Sequence, residues 1–278
     1  MYHHINALWH SIYHWCEGDP RFLYIIIPVC LRISVYWTIC LPFTLIDLTG
    51  KPEFLHKYKI QKLDCKNYPV RVADAIAVIR RVLFNQTFVA IPCVILIYHL
   101  WKSWEFRGLK YEAPSVSFII IQLFLHTILS EIIVYSVHRT LHTRSIYKRI
   151  HKTHHLWDKP IAITAVYVHP VEHVFMNVIP FYIPSFIFGA HPINLWIWIV
   201  VGTSYNVFDH IGYHLPFFPH SPEYHDFHHK RIWNNFGSVG FLDKLFGTDD
   251  LFKKSKEYQR HTILLSFKSM KELFPDDD

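Results

Sequence analysis

His225-Asp226-Phe227-His228-His229 is the stretch from which the fold can be worked outward. Its H-x-x-H-H spacing repeats that of His151-Lys152-Thr153-His154-His155, and an H-x-x-x-H pair, His138 and His142, stands just before that earlier box. His210 and His214, again four apart, lie between the second and third boxes in Asp209-His210-Ile211-Gly212-Tyr213-His214. On a helix, residues three or four apart share a face, so each box can bring two or three imidazoles to one locus. Neutral imidazole is a good ligand for iron, zinc, copper and nickel, and ten of them suit two metals with about four or five ligands each. A lone H-x-x-x-H pair on an apolar helix is more often structural. Three boxes in order, each at the end of an apolar run, are not explained that way. The rest of the sequence has to bring them together.

The composition places that site in a membrane. Of the 278 residues, 51% are hydrophobic and only 18% are charged, against about 25% in an average soluble protein. The 22 histidines equal the whole count of Asp plus Glu, which favours an all-nitrogen site over a carboxylate-bridged one. The formal charge of +6 falls in loops beside apolar runs and forms no nucleic-acid-binding stripe. Five cysteines (Cys16, Cys30, Cys40, Cys65 and Cys93) are odd in number and make no C-x-x-C pair. That argues against a disulfide framework or a cysteine zinc site.

Taken in order, residues 1–21 read as an interfacial segment rather than a secretory leader, since nothing basic precedes Arg21. His10 and His14 there are read as interfacial polar residues. Phe22 to Ile46 is apolar but holds Pro28, Pro42 and Arg32. A mid-span arginine costs about 2.5–3.5 kcal/mol on insertion scales, so Arg32 is expected to face the bundle or snorkel. Residues 47–81 are polar and basic, and Val82 to Trp101 has no charge. Asn85-Gln86-Thr87 fits a glycosylation pattern but is expected to be unused, beside Arg80 and Arg81 at the head of this span. Pro114 and Ser115 open a helix, with Ser115 as its cap, that runs apolar to Val137 and holds one acid, Glu131. Residues 173–208 are again charge-free, broken by Gly189-Ala190-His191-Pro192 into a hairpin.

These segments predict an all-α integral membrane protein with about four transmembrane helices, or three plus a re-entrant hairpin. A cytosolic helical cap would hold a histidine-rich dimetal site. Residues 22–278 read as a single membrane-embedded domain, with the histidine boxes within 116–255. Ligands from both halves must meet on one side, so the polypeptide passes through the membrane an even number of times between His155 and His210. Eight Lys/Arg in 47–81 and six in 139–159, against three in 102–114, put the boxes in the cytosol by the positive-inside rule.

Outside the boxes, Glu131 is seven positions before His138 and so on the same helical face. It is read either as accepting from a ligand N–H or as a partner for Arg32 or Arg139. Asp209 and Asp226 adjoin candidate ligands and are read as outer supports of the same kind. His169 and Glu172 line the site or form a structural pair. His173, and the isolated His99, His126, His191, His220 and His261, read as structural. Phe181, Tyr182, Trp196 and Trp198 face lipid or pack, and some could line a substrate tunnel.

The box order resembles the fatty acid hydroxylase / sterol desaturase superfamily. The sequence looks most like the C-4 methylsterol monooxygenases and the fatty acid hydroxylase domain-containing proteins. Beyond the boxes, the stretches that carry the resemblance are Tyr58-Lys59-Ile60-Gln61, Ile146-Tyr147-Lys148, Tyr167-Val168-His169-Pro170-Val171-Glu172, Gly212-Tyr213 and Phe246-Gly247-Thr248-Asp249. It covers roughly residues 55–255. The resemblance implies a non-haem di-iron centre in the endoplasmic reticulum membrane, using O2 and electrons from NAD(P)H through cytochrome b5. It also implies a lipid substrate, foremost the C-4 methyl of a sterol. The alternative is hydroxylation of a C–H bond in a fatty-acyl group, a sphingolipid or the side chain of a sterol. At the position of His214 several sterol-oxidising relatives carry Asp or Asn, so His214 is either a ligand or orients one. Zinc could replace iron in a purified sample. A non-redox zinc protein is the competing class, and it predicts histidines inside the spans rather than at their ends.

Overall fold

The computed structural model describes residues 2–61, 68–102 and 109–276. Lys62, Cys65, Lys66, Arg107, Asp277 and Asp278 lie outside them. Among the described residues the protein is helical, with a single isolated β-bridge between Lys59 and Tyr213. Helix α1 is Tyr2–Trp15, α2 is Ile27–Thr49, α3 is Val72–Phe84 and α4 is Ile91–Lys102. Then come α5 (Val116–Leu141), α6 (Arg144–Arg149), α7 (Pro170–Glu172), α8 (Ile179–Ile187), α9 (Pro192–His210), α10 (Glu223–Lys230) and α11 (Phe241–Phe246).

Three stretches are long and apolar enough to cross a membrane: Phe22–Thr49, Val72–Lys102 and Val116–Leu141. The run 173–208 folds as a hairpin of α8 and α9, turned at Gly189 (φ 57°) and restarted by His191, whose Nδ1 accepts from Ile193 N. The fold is therefore an all-α membrane protein with three candidate spans and this hairpin. Its second long helix begins at Val72, ten residues before the charge-free run. Ala75, Val78 and Val82 recur at helical spacing and are buried, so packing extends the helix through Arg80 and Arg81. Ser115 caps α5 as its sequence predicts, accepting from Phe118 N at 3.3 Å.

Proline explains the irregularities of the long helices. Ile27-Pro28, Ile91-Pro92 and Ile179-Pro180 each follow directly on a widened π turn, at Phe22–Ile26, Asn85–Ala90 and His173–Val178. Proline lacks an N–H and clashes with the preceding turn, and a π turn makes room for its ring without ending the helix.

Two cores stack along the bundle. One holds Trp9 of α1 with Leu23, Tyr24, Tyr98, Trp101, Tyr182 and Leu195. There His10 stacks on Tyr111 and His14 Nε2 bonds the Tyr111 hydroxyl at 2.9 Å. The guanidinium of Arg32 lies over the Phe181 ring at 4.4 Å, so it faces the bundle. The other core, at the histidine end, is built around residues 161–166, a 3₁₀ turn buried among α2, α3 and α9. Buried irregular backbone needs partners for its carbonyls, and side chains of three helices supply them. Tyr36 Oη donates to Ile163 O (2.7 Å), Cys40 Sγ to Ala162 O (3.3 Å) and Asn206 Nδ2 to Ala165 O (3.4 Å). Asn85 Nδ2 donates to Val166 O and Val168 O, so the amide of the glycosylation pattern is buried and engaged. Cys16, Cys30, Cys40 and Cys93 are unpaired.

The bridge at Lys59 closes this end. Ile60 N donates to Gly212 O and His214 N to Tyr58 O, while buried Asp47 accepts from Tyr213 Oη at 2.8 Å and pairs with Lys59 Nζ at 2.6 Å. Gly212 has φ +71°, and a Cβ there would meet Pro160 O at 2.8 Å. The Tyr58–Gln61 and Gly212-Tyr213 motifs thus lock the end of α2 to the segment leaving α9.

Candidate metal centre

Four elements meet at the histidine end: the C-terminus of α5, the turn His151–Leu156, the end of α9, and α10. Nine histidines converge there in two groups. His138, His142, His151, His155 and His228 form one; His154, His210, His225 and His229 form the other. Within each group the nearest ring nitrogens lie within 4.8 Å of one another. The second box is a 3₁₀ turn rather than the α-helix expected from its spacing, whereas the third box is α-helical.

The hydrogen bonds show which nitrogen of each ring is free to bind. His138 Nδ1 donates to Phe236 O (2.7 Å), His228 Nδ1 to Asn234 O (2.6 Å) and His210 Nδ1 to Asn206 O (2.7 Å). His151 Nδ1 meets Glu172 Oε1 at 2.7 Å. Carbonyls only accept, so in His138, His210 and His228 the proton is on Nδ1 and Nε2 carries a bare lone pair. Yet the Nε2 atoms face one another: His138 to His151 at 3.1 Å, His155 to His228 at 3.2 Å, His154 to His210 at 3.3 Å and His210 to His225 at 3.0 Å. Clustered lone pairs repel unless a cation sits among them. Nitrogens bound at about 2.0–2.1 Å to one ion stand roughly 3 Å apart, which is the spacing found. Both ring nitrogens of buried His142 lack any partner. The donor sets therefore fit a metal ion in each group.

The electrostatics agree. Burial, reinforced by neighbouring imidazoles, lowers the pKa of His142 to about 2 and holds His151, His154, His225, His228 and His229 well below the usual value. These rings stay neutral, the state that ligates. Burial also pushes Glu172 well above the usual carboxylate range, and a dication beside His151 would pull it the other way.

His214 belongs to neither group. It is buried with Nδ1 3.3 Å from Glu223 Oε1, and its Nε2 has no partner. Among the outer candidates, Glu172 supports a group member. Glu131 does not, nor does it pair with Arg32 or Arg139. Its carboxylate accepts from the backbone N–H groups of Ser238, Val239 and Gly240 and from Ser238 Oγ, at 2.8–2.9 Å. An acid on the α5 face of His138 thus anchors the loop whose carbonyls orient His138 and His228. Asp243 holds the same loop through Phe236 N and Gly237 N. A Cβ at Gly237 would collide with the Glu131 carboxylate. Asp209 pairs with His220, and Asp226 with Gln61 and Lys230, neither with a group member. His169 caps α7 through Val171 N. His126 is structural, bonded to Gln122 O and Ser185 Oγ. The orienting carbonyls of Asn206, Asn234 and Phe236 were not foreseeable from residue type, because every residue has a carbonyl. The local signal is the pair Gly237 and Gly240, where the loop backbone closes on Glu131 and on Tyr224.

Beneath the histidines lies a cavity of about 320 Å³. His138, His151, His154, His210 and His225 form its head, α5 and α9 its walls, and Phe181 and Trp198 its far end. Apart from the histidines and a few polar groups, its surface is hydrocarbon. A larger cleft, about 600 Å³, is lined by Lys59, Gln61, Arg71, Trp157 and Asp226 and touches none of the nine histidines. The chemistry points to the smaller cavity.

Comparison with known proteins gives the same direction. Residues 123–248 match the fatty acid hydroxylase family profile. Fatty acid hydroxylase domain-containing protein 2 of Homo sapiens is 36% identical over 98% of this chain and 80% of its own length. Methylsterol monooxygenase 2-2 of Arabidopsis thaliana is 30% identical over 81% of this chain and 85% of its own. A very-long-chain aldehyde decarbonylase of Oryza sativa subsp. indica is 32% identical over the same shares. No solved structure matches. With nine clustered histidines at the head of an apolar cavity, and a 36% identical relative aligned along 98% of this chain, the protein belongs to the fatty acid hydroxylase family.

Proposed function

We propose that the protein is a membrane-bound non-haem di-iron monooxygenase that oxidises a C–H bond of a membrane lipid, with the C-4 methyl of a sterol as its substrate. One observation carries the reading: two groups of imidazole nitrogens, five and four, sit at the head of an apolar cavity. An unactivated methyl needs a redox-active metal with O2, which zinc cannot provide. When bound, iron would supply that oxidising chemistry. The nine histidines would hold it, with Phe236 O, Asn234 O, Asn206 O and Glu172 fixing the ring orientations. The cavity walls would exclude water and seat the hydrocarbon with its reacting carbon toward His138 and His154. Electrons would come from NAD(P)H through cytochrome b5. The basic stretches flanking the histidine end support a cytosolic face, and the family supports the endoplasmic reticulum. We read α1 as lying at the opposite interface.

A second reading is hydroxylation of a fatty-acyl group or a sphingolipid. The names of the relatives favour it, since they span hydroxylases, sterol oxidases and a decarbonylase. His214, where sterol-oxidising relatives often carry Asp or Asn, favours it too. The test is metal analysis of the purified protein with O2- and reductant-dependent turnover in membranes, offering 4,4-dimethylsterol and a fatty-acyl lipid in parallel. Two irons and a 4-hydroxymethyl sterol are expected. Turnover of the acyl lipid alone selects the second reading; zinc with no O2 consumption defeats both.

A further inference from the structure

We infer that the lipid substrate reaches the metal centre sideways from the bilayer, through a mouth between α9 and the loop that Glu131 holds on α5, strapped by a Tyr205–Ser238 hydrogen bond. This rests on the reading of the site as a lipid oxygenase and adds the route. Among the residues lining the cavity, only Val201, Tyr205 and Val239 are exposed, at 51%, 38% and 55%. Val201 and Tyr205 are one turn apart on α9, and Val239 sits on the loop anchored by Glu131 across from them. Among the described residues, the exposed part of the lining is therefore gathered in one place.

That place faces hydrocarbon. Thr127 and Val134 of α5 line the cavity too. At the mouth itself, Val201 and Tyr205 lie 9 and 5 residues before His210, the last residue of α9, so about 14 and 8 Å down a helix rising 1.5 Å per residue, within a hydrocarbon layer about 30 Å thick. At the histidine end no lining residue is exposed among the described residues: the lining histidines and Glu172 are buried or half-buried. The far end is closed by Phe181, which fits only because residue 202 is glycine: a Cβ there would stand 2.7 Å from the Phe181 ring.

Tyr205 Oη donates to Ser238 O at 2.8 Å, joining α9 to the anchored loop across the mouth. Its ring stands edge-on to His220, 4.6 Å away, and His220 Nε2 is 3.0 Å from Asp209 Oδ1. In hydrocarbon no water competes for such a bond. The strap keeps the mouth narrow until an apolar lipid tail displaces it.

The test uses the full-length protein in phosphatidylcholine nanodiscs containing a fatty-acyl lipid with a diazirine near the end of its tail. After photolysis, peptide mapping reads the adducts. Adducts are expected on Ser130 and Phe181, which are buried and reached only through the cavity, and on lipid-facing Phe124. Val201→Trp and Val239→Trp, each shown to keep wild-type metal content, should cut the Ser130 and Phe181 adducts by roughly tenfold by filling the mouth with an indole, leaving Phe124 labelled. Tyr205→Phe should speed labelling of Ser130 by about fivefold, the effect of one neutral hydrogen bond. Wild-type adducts confined to Phe124, or Ser130 labelling unchanged in both Trp variants, would overturn the route. Unchanged labelling in Tyr205→Phe would overturn the strap. A labelled cavity with no oxidised product would leave the route standing and sink the proposed activity instead.

Discussion

The second and third histidine boxes have one spacing and two structures. His151–Leu156 is a 3₁₀ turn packed against α6, and Glu223–Lys230 is an α-helix packed against α9. Each box nevertheless splits in the same pattern. His151 and His155 go to one group and His154 to the other; His225 and His229 go to the second group and His228 to the first. The boxes thus exchange one imidazole each, and the two groups are joined through both. The lesson is that H-x-x-H-H serves a pair of neighbouring sites, and backbone geometry adapts to that split. The supports differ as well. Ring orientation at the second box comes from a buried carboxylate on His151, and at the third from a backbone carbonyl on His228.

Removing an exchanged imidazole should do the most damage. His228→Ala and His154→Ala are each expected to abolish turnover and to lower bound metal in both groups, measured by metal analysis and O2 consumption. If His228→Ala retained activity, the ligand assignment would fail. Glu172→Gln comes next. It keeps a hydrogen-bond acceptor for His151 but removes the charge, and a 10–100-fold loss of metal affinity is expected from such supporting groups, measured by competition with a chelator. An equal loss at His154's group would show that the two groups bind as one unit.

The third box is tested through its loop. Glu131→Ala should free the 238–240 backbone and cost about 3 kcal/mol, because several hydrogen bonds to one buried carboxylate are lost. Gly237→Ala should cost a similar amount by pushing a methyl into the same carboxylate. Thermal unfolding in detergent reads both. If the loop serves only as a wall, metal content will survive these changes; if it orients His138 and His228, metal will fall with stability. Asn85→Ala, on the second-box side, leaves the Val166 and Val168 carbonyls unpaired and should cost about 1–3 kcal/mol with little change in metal. The smallest effect is expected from His214→Asn. Lying outside both groups, it should leave metal content unchanged and alter turnover by less than about tenfold.

Much of this was legible in residue order. The three boxes, the apolar runs between them, the Ser115 cap and the Gly189–Pro192 break are local patterns, and local patterns survive into the fold. His214 shows the limit. It has the same four-residue offset from His210 that pairs His138 with His142, yet α9 ends at His210, and Gly212 at positive φ turns the backbone away. Glu131 is the opposite case. Its place on the face of His138 was correct by helical periodicity, but its partners are three backbone N–H groups more than 100 residues away.

Sequence alone determined that this is a helical membrane protein with imidazole clusters at one end of its spans, because hydrophobic runs, caps and i, i+4 spacing act over a few residues. Only the tertiary structure decided that the clusters are five and four, that the second box is a 3₁₀ turn with His151 held by buried Glu172, and that the third box is oriented through a loop held by Glu131. Those outcomes depend on satisfying carbonyls and carboxylates away from water. Their partners come from whichever elements packing brings near, and no local pattern names them in advance.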